Sequence, residues 1–256
     1  MFPRRTHTSA ATRLTSTKNP LLREIRRAVE RGSLTSDGLC VAEGFHLMEE
    51  ALRSPCEVEA VIASDTAAPR MQGDFISVPD DIFSVIASTE TTQGVLTLVR
   101  PPEASLDAMF AGVALLLVLD GVQDPGNAGT LLRAAEAFGA SGVLVAKGTV
   151  NPWNPKALRA SAGSAFRVPV LRDATPEMLE GRGARVWATL PHGSAETNPD
   201  FSMATVLIIG SEARGVSREW AAVAEALTIP TSGVESLNAA MAGTILLYEA
   251  SRQRRA

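Results

Sequence analysis

The sequence predicts an α/β protein, with a parallel sheet in its second half and a smaller α/β unit before it. Three observations carry this. Apolar runs such as "VALLLVLD" and "TVLIIGSE" are continuous rather than alternating, the pattern of strands buried on both faces of a parallel sheet. Segments with helical spacing separate several of them, which makes right-handed crossovers the default connection. Between the halves, "PPEASLDAMFAG" reads as a linker, so the expected domains are residues 1–105 and 106–256.

The elements follow in order. "NPLLREIRRAVERGS" predicts a helix with Leu21, Leu22, Ile25 and Val29 on one side and arginines on the other. "LCVAEG" predicts a strand and "FHLMEEALR" a short helix. "VEAVIAS" and "DFISVP" predict strands, and "DDIFSVIAST" a helix whose opening acids favour its positive end. "GVLTLVR" closes the first half as a strand. In the second half, strands are predicted at "VALLLVLD", "SGVLVAKG", "RVWATL", "TVLIIGSE" and "ALTIP". Helices are predicted over 126–138, 155–164, 176–181, 217–226 and 236–254.

Composition narrows the function classes. The longest apolar run, Val113 to Leu119, is too short to cross a bilayer. The opening "MFPRRTHTSAATRLTSTKNP" lacks the apolar centre of a secretory signal, so no membrane partner is expected. Two cysteines, Cys40 and Cys56, without a second Cys/His cluster support neither a disulfide framework nor a zinc site. The cytoplasm is the expected compartment. A net charge of −4 argues against nucleic acid, but residues 1–31 balance to +6 while the remainder balances to −10. A local basic segment is what contact with a polyanion requires; a solvated, disordered leader satisfies the same composition equally well. Arg252, Arg254 and Arg255 form a second basic cluster.

The stretch "LDGVQDPGNAGTLLRAAEAFGASGVLV" has the strand–loop–helix–strand order of many nucleotide sites. It lacks both the Gly-x-Gly-x-x-Gly fingerprint and a Gly-Lys-Ser/Thr phosphate loop, which disfavours a Rossmann-type enzyme. Read one by one, its polar residues have ordinary roles. Asn127 is a good helix N-cap, as is Ser236 further on. Arg133 has Glu136 as a helix-surface partner, and Glu212 has Arg214. Leu237, Met241, Ile245 and Tyr248 fall near helical spacing, which suits a core or a subunit interface. His7, His46 and His192 match no motif.

Taken together, three segments change that reading: Asn127-Ala-Gly129-x-x-x-Arg133, then "IIGSEARGVS" with Gly210, Glu212 and Gly215, then "IPTSGVESLNAAMAGTILLYEASRQR" from Ile229 to Arg254. In order and spacing they resemble the three motifs of the SpoU/TrmH family of RNA ribose 2′-O-methyltransferases, within the SPOUT superfamily. In the first half, "STKNPLLREIRR", "VAEGFHLMEEAL" and "TTQGVLTLV" resemble the small substrate-binding domain often attached in that family. The resemblance implies a SPOUT-type sheet with a deep C-terminal trefoil knot, an exception to the rule against knots. It also implies S-adenosylmethionine as cofactor, and a homodimer whose active site draws on both subunits. The implied substrate is RNA, with the extra domain favouring ribosomal RNA over transfer RNA. A silent RNA-binding scaffold is the alternative, disfavoured because the family's polar residues are all present.

Carried over residue by residue, the resemblance makes Asn127, Arg133, Glu212, Ser236 and Asn238 catalytic. It assigns Leu190, Gly210, Ile229 and Leu237 to the cofactor, and Arg23, Arg133 and Arg254 to the substrate, with no metal. The chemistry needs a ribose hydroxyl and a methyl sulfonium held about 3 Å apart and in line. A guanidinium is effectively always protonated, so a simple base role is chemically awkward and Arg133 is read as gripping the target phosphate and ribose in a bidentate manner. The proton then leaves through that phosphate or through a transiently deprotonated guanidine. Two positions depart from the commoner pattern: Ala239-Ala240 stands where many relatives have Val-Ser, and Ala213 replaces a glycine of the turn. The second half is expected to bind cofactor by itself once residues 1–105 are removed.

Overall fold

The computed structural model describes residues 12–189, 197–234 and 236–255. The first half opens with a two-residue strand β1 (Thr12–Arg13) and helix α1 (Pro20–Arg31). Asn19 caps α1 by accepting from the Leu21 N–H at 2.9 Å, Pro20 supplies the fixed φ of its first turn, and Gly32 ends it in the left-handed region at φ 60°. β2 (Cys40–Glu43), α2 (Phe45–Arg53), β3 (Val58–Ser64), β4 (Ile76–Val78), α3 (Asp80–Ile86) and β5 (Val95–Val99) follow. They form a mixed five-stranded sheet in the order β1-β4-β3-β5-β2. Leu22, Ile25 and Ala28 of α1 and Ile82, Phe83 and Ile86 of α3 bury one of its faces, against Val41, Leu96 and Leu98.

The second half contains α4 (Leu106–Met109), β6 (Leu115–Asp120), α5 (Pro125–Ala137), β7 (Gly142–Ala146), α6 (Pro155–Ser161), β8 (Val170–Ala174), β9 (Arg185–Thr189), β10 (Thr205–Gly210), α7 (Arg218–Ala221), β11 (Glu225–Leu227) and α8 (Ala239–Gln253). Its six strands lie in the order β11-β9-β10-β6-β7-β8, and every pairing among them is parallel. Both faces of this sheet are covered, as the continuous apolar runs require. Leu115, Leu117 and Leu119 of β6 join one core with Leu131, Leu158 and Leu247 of α5, α6 and α8. Leu116 and Val118 join another with Met109 of α4 and Trp220 of α7. The period-2 alternation of side chains sorts one strand between the two layers.

Five details differ from expectation. The segment 101–112 is not only a linker: it holds α4, whose Met109 is buried where a side chain on Gly142 would collide with it. β8 is an edge strand whose Arg172 and Asp173 are exposed, so it has no continuous apolar run to announce it. The helix after Ser217 stops at Ala221 and gives way to β11, and 176–179 forms a single 3-10 turn rather than an α-helix. α8 begins at Ala239, three residues after the expected start.

The first core of the large sheet does not stop at α5 and α6. It takes in Cys40 and Ala42 of β2, Leu47 and Ala51 of α2, and Val99 of β5. Polar contacts run across the same junction. Arg167 pairs with Glu50 of α2 and with Glu136 of α5. Glu43 is buried, which pushes its carboxyl up, but hydrogen bonds from Ser88, Thr89 and Thr92 outweigh this and hold it below the usual carboxylate range. The Ser88 hydroxyl also accepts from Arg159 Nη1 of α6 at 2.6 Å.

Candidate active site

The chain runs from β6 outward to β7 and β8, then returns to place β10 on the other side of β6. The carboxyl ends of β6 and β10 therefore flank a topological switch point, where open parallel sheets form their ligand crevices. Asp120 and Gly210 are paired across it. Asp120 is buried and its Oδ2 accepts from the Ser217 N–H at 2.6 Å, tying down the far end of the loop after β10. That loop is a tight turn: Ser211 and Gly215 exchange hydrogen bonds of 3.0 and 2.8 Å, with Gly215 at φ 67°. The turn folds so closely over β10 that a Cβ on Gly210 would lie 2.3 Å from the Gly215 carbonyl carbon. Glycine at 210 is thus required by the loop carrying Glu212.

The structure corrects the capping assignment. Asp124, not Asn127, caps α5; its Oδ1 accepts from the Asn127 N–H at 2.8 Å, with Pro125 in the first turn. Asn238, not Ser236, caps α8, its Oδ1 accepting from the N–H groups of Ala240 and Met241 at 2.9 and 3.2 Å. Relieved of capping, the Asn127 side chain donates from Nδ2 to Glu212 Oε1 and accepts at Oδ1 from Asn238 Nδ2 at 3.1 Å. The direction of this chain is fixed at one end. Helix N–H groups can only donate, so Asn238 must turn its oxygen inward and its NH₂ outward. Asn127 must then receive on its oxygen and offer its own NH₂ to the carboxylate. Three segments far apart in the sequence are joined in one line.

The remaining expected site residues fall as follows. Arg133 is exposed on α5 and makes no hydrogen bond or ion pair among the described residues; the Glu136 suggested as its partner is held by Arg167. Arg214 likewise has no ion pair with Glu212 among the described residues. Ser236 is exposed, while Ile229 and Leu237 are half-buried at the two ends of the segment before α8. Leu190 lies outside the described residues, as do His7 and His192. Arg23 sits on α1 in the first sheet, away from the switch point. Arg254, expected at the substrate, is engaged within the chain. Its guanidinium donates to the carbonyls of Phe201, Val113, Ala114 and Met203 at 2.7 to 3.0 Å, at the amino ends of β6 and β10. This is the opposite end of the sheet from Asn238, about 24 Å along α8.

Sequence reasoning missed Asp120 and Asp124. The Asp-Pro pair at the start of a helical pattern was the available signal for the second. It also left Gly129 without a role. A Cβ there would meet the Ala157 carbonyl oxygen at 2.3 Å, so this glycine lets α5 and α6 touch backbone to backbone. Among the described residues no His/Cys/Asp/Glu group is placed to hold a metal, and no helix is long and apolar enough to cross a membrane.

Comparison with known proteins agrees with this geometry. The profile of the SpoU rRNA Methylase family matches residues 114–248, and that of the MRM3-like substrate binding domain matches residues 19–97. The chain is 34% identical over 248 residues to the 23S rRNA (guanosine(2553)-2'-O)-methyltransferase RlmP of Bacillus subtilis (strain 168), covering 91% of this chain and 96% of that protein. Among solved structures, the AdoMet-bound rRNA methyltransferase from Sinorhizobium meliloti superposes with a TM-score of 0.82 at 28% identity, over 94% of this chain and 98% of that one. The SpoU methyltransferase AviRb from Streptomyces viridochromogenes, in complex with AdoMet, gives 0.81 at 27% identity, over 93% and 99%. With motifs, strand order and converging side chains all in agreement, the chain belongs to the SpoU rRNA methylase family.

Proposed function

We propose that this protein transfers a methyl group from S-adenosylmethionine to a ribose 2′-hydroxyl of ribosomal RNA. The observation that carries the reading is the Asn238–Asn127–Glu212 chain at the switch point, in a chain with relatives named as 23S rRNA 2'-O-methyltransferases. The site suits a small cofactor without a triphosphate. No glycine-rich phosphate cradle is present, and from Ile229 to Leu237 no backbone–backbone hydrogen bond occurs among the described residues. Those N–H and C=O groups, with Gly210 and Leu190, are the ones that would hold the nucleoside end of the cofactor. When bound, it supplies an electrophilic methyl group whose transfer consumes a positive charge.

The chain's own residues do the rest. Asn127 fixes the Glu212 carboxylate in one orientation, so that one oxygen stays free to accept from a ribose hydroxyl or a guanidinium. Arg133, without a partner among the described residues, grips the target phosphate and ribose. The 2′-proton leaves through that phosphate or through the guanidine. Ser236, exposed beside this group, supplies a further hydroxyl to the substrate.

A homodimer completes the reading. Met241, Ile245 and Tyr248 form an exposed apolar stripe on α8, with Phe138 of α5 packed edge-on against Tyr248 at 5.7 Å. Arg133 projects from the adjoining face of α5, where it serves a site shared with a second copy. The return of the chain from Ile229 to Asn238, beside the loop after β6, supports the trefoil knot, and the two sheets support a substrate-binding unit at 1–105 with a catalytic unit at 106–256. The cytoplasm is the compartment proposed.

The test is incubation with tritiated S-adenosylmethionine and, in parallel, unmodified 23S ribosomal RNA and transfer RNA transcripts. Label recovered as a 2′-O-methyl nucleoside from the ribosomal transcript is expected. Label on a base, or on transfer RNA alone, overturns the assignment.

A further inference from the structure

We infer that the arginine face of α1, with the cavity between α1 and α3, is a seat for single-stranded RNA that takes one unstacked base. The inference rests on the ribosomal-RNA reading above and deepens it by naming where the strand is held outside the reacting centre. Arg23, Arg27 and Arg31 are all exposed and recur every four residues, so their side chains form one stripe with steps of about 6 Å along the helix. Arg23 and Arg31 form no ion pair among the described residues. Arg27 pairs with Glu24 at the surface, a contact that a phosphate readily replaces, and Glu24 keeps its hydrogen bond from the Ser36 N–H at 2.8 Å. In a chain whose other residues are strongly acidic in balance, this stripe is where a polyanion is steered.

Beside the stripe lies a cavity of about 240 Å³. Leu22, Ile82 and Ile86 form the apolar part of its wall, Thr17, Arg26 and Glu30 add polar atoms beside the arginine stripe, and Val85 stands at its lip with 42% of its surface exposed. Cations over an apolar wall form the arrangement that grips a phosphate and stacks a base. A duplex keeps its bases stacked and leaves such a cavity idle. The stripe also points the right way. The carbonyl of Gly32, at the end of α1, accepts from Asn151 Nδ2 at 3.3 Å, in the loop after β7 at the carboxyl edge of the catalytic sheet. From that edge the arginines run outward for the length of α1, about 18 Å.

The experiment measures binding of a 12-nucleotide oligouridylate to the full chain by fluorescence anisotropy across a salt series, with S-adenosylmethionine affinity measured in parallel. Each single-strand phosphate contact contributes about 0.7 to the slope of log K against log salt. The variant Arg23→Ala/Arg27→Ala/Arg31→Ala is expected to flatten that slope by about 2 while cofactor affinity stays within twofold. Val85→Asn, which changes the lip without adding charge, is expected to weaken oligouridylate at least fivefold and to leave an abasic ribose-phosphate 12-mer unaffected. An unchanged slope in the triple variant overturns the stripe, and points to an acidic protein as its partner. Equal effects of Val85→Asn on both oligomers overturn the base seat. Neither result touches the methyl-transfer reading, which is decided separately by where the unaltered protein places its label.

Discussion

At Asn127 one amide is held between a donor and an acceptor, and the direction of both contacts descends from the first turn of α8. Asn238→Asp retains an oxygen for the Ala240 and Met241 N–H groups but loses the NH₂ that Asn127 receives. It is expected to leave the melting temperature nearly unchanged and to lower single-turnover methyl transfer at least tenfold, because Asn127 is then free to rotate away from Glu212. A drop in melting temperature with turnover intact would make Asn238 a cap and nothing more. Arg133→Ala is expected to keep S-adenosylmethionine affinity within a few-fold by calorimetry and to remove most turnover; unchanged turnover defeats its role. The resemblance to the SpoU/TrmH motifs made Asn127, Glu212 and Asn238 legible as a group; residue by residue, Asn127 and Glu212 had ordinary readings. The partners were not legible, because Asn127 and Ser236 are both good caps by residue type, and that ranking does not show that Asp124 and Asn238 take those places instead. Asp124 wins since Asp-Pro already places an acceptor before a fixed φ. The internal role of Arg254 was hidden for a related reason: four carbonyls converging on one guanidinium leave no trace in side-chain order.

Among the elements, α5 and α6 touch backbone to backbone, and Gly129 is the reason. Gly129→Ala drives a methyl group into the Ala157 carbonyl, a backbone atom that cannot swing aside. Overpacking of this kind costs about 1–3 kcal/mol, which in a chain of this size lowers the melting point by roughly 2–10 °C. Since Asn127 sits two residues earlier, turnover is expected to fall further than stability explains, by up to about 100-fold for an ångström of displacement. Thermal melts and single-turnover kinetics on the same preparation check both. The strands show how burial governs what a sequence reveals. β6 and β10 are central, covered on both faces, and read directly as apolar runs. β8 closes the sheet with exposed Arg172 and Asp173, so its membership is decided by its neighbour β7.

For the whole molecule, the junction between the sheets alters one expectation. Cys40, Ala42, Leu47, Ala51 and Val99 belong to the same core as Leu131, Leu158 and Phe166. Deleting residues 1–105 therefore uncovers apolar surface on α5 and α6, the helices that support Asn127. The fragment 106–256 is expected to melt at least about 10 °C below the full chain, the scale set by losing several kcal/mol of burial, and to bind S-adenosylmethionine more weakly. A fragment as stable as the parent shows that the halves fold separately. No pattern along the chain announced this junction, because periodicity reports which face of an element is apolar but not what covers it. The grip of Arg254 on the carbonyls before β6 and β10 carries a last consequence. Terminal helices commonly fray, and their amides exchange with solvent long before those of a central sheet. Here the final turn is fastened to the two innermost strands, so opening it means opening them. Deuterium uptake at 246–253 is expected to follow that of 115–120 and 205–210 as one cooperative unit, and Arg254→Gln to uncouple the helix, letting it exchange first.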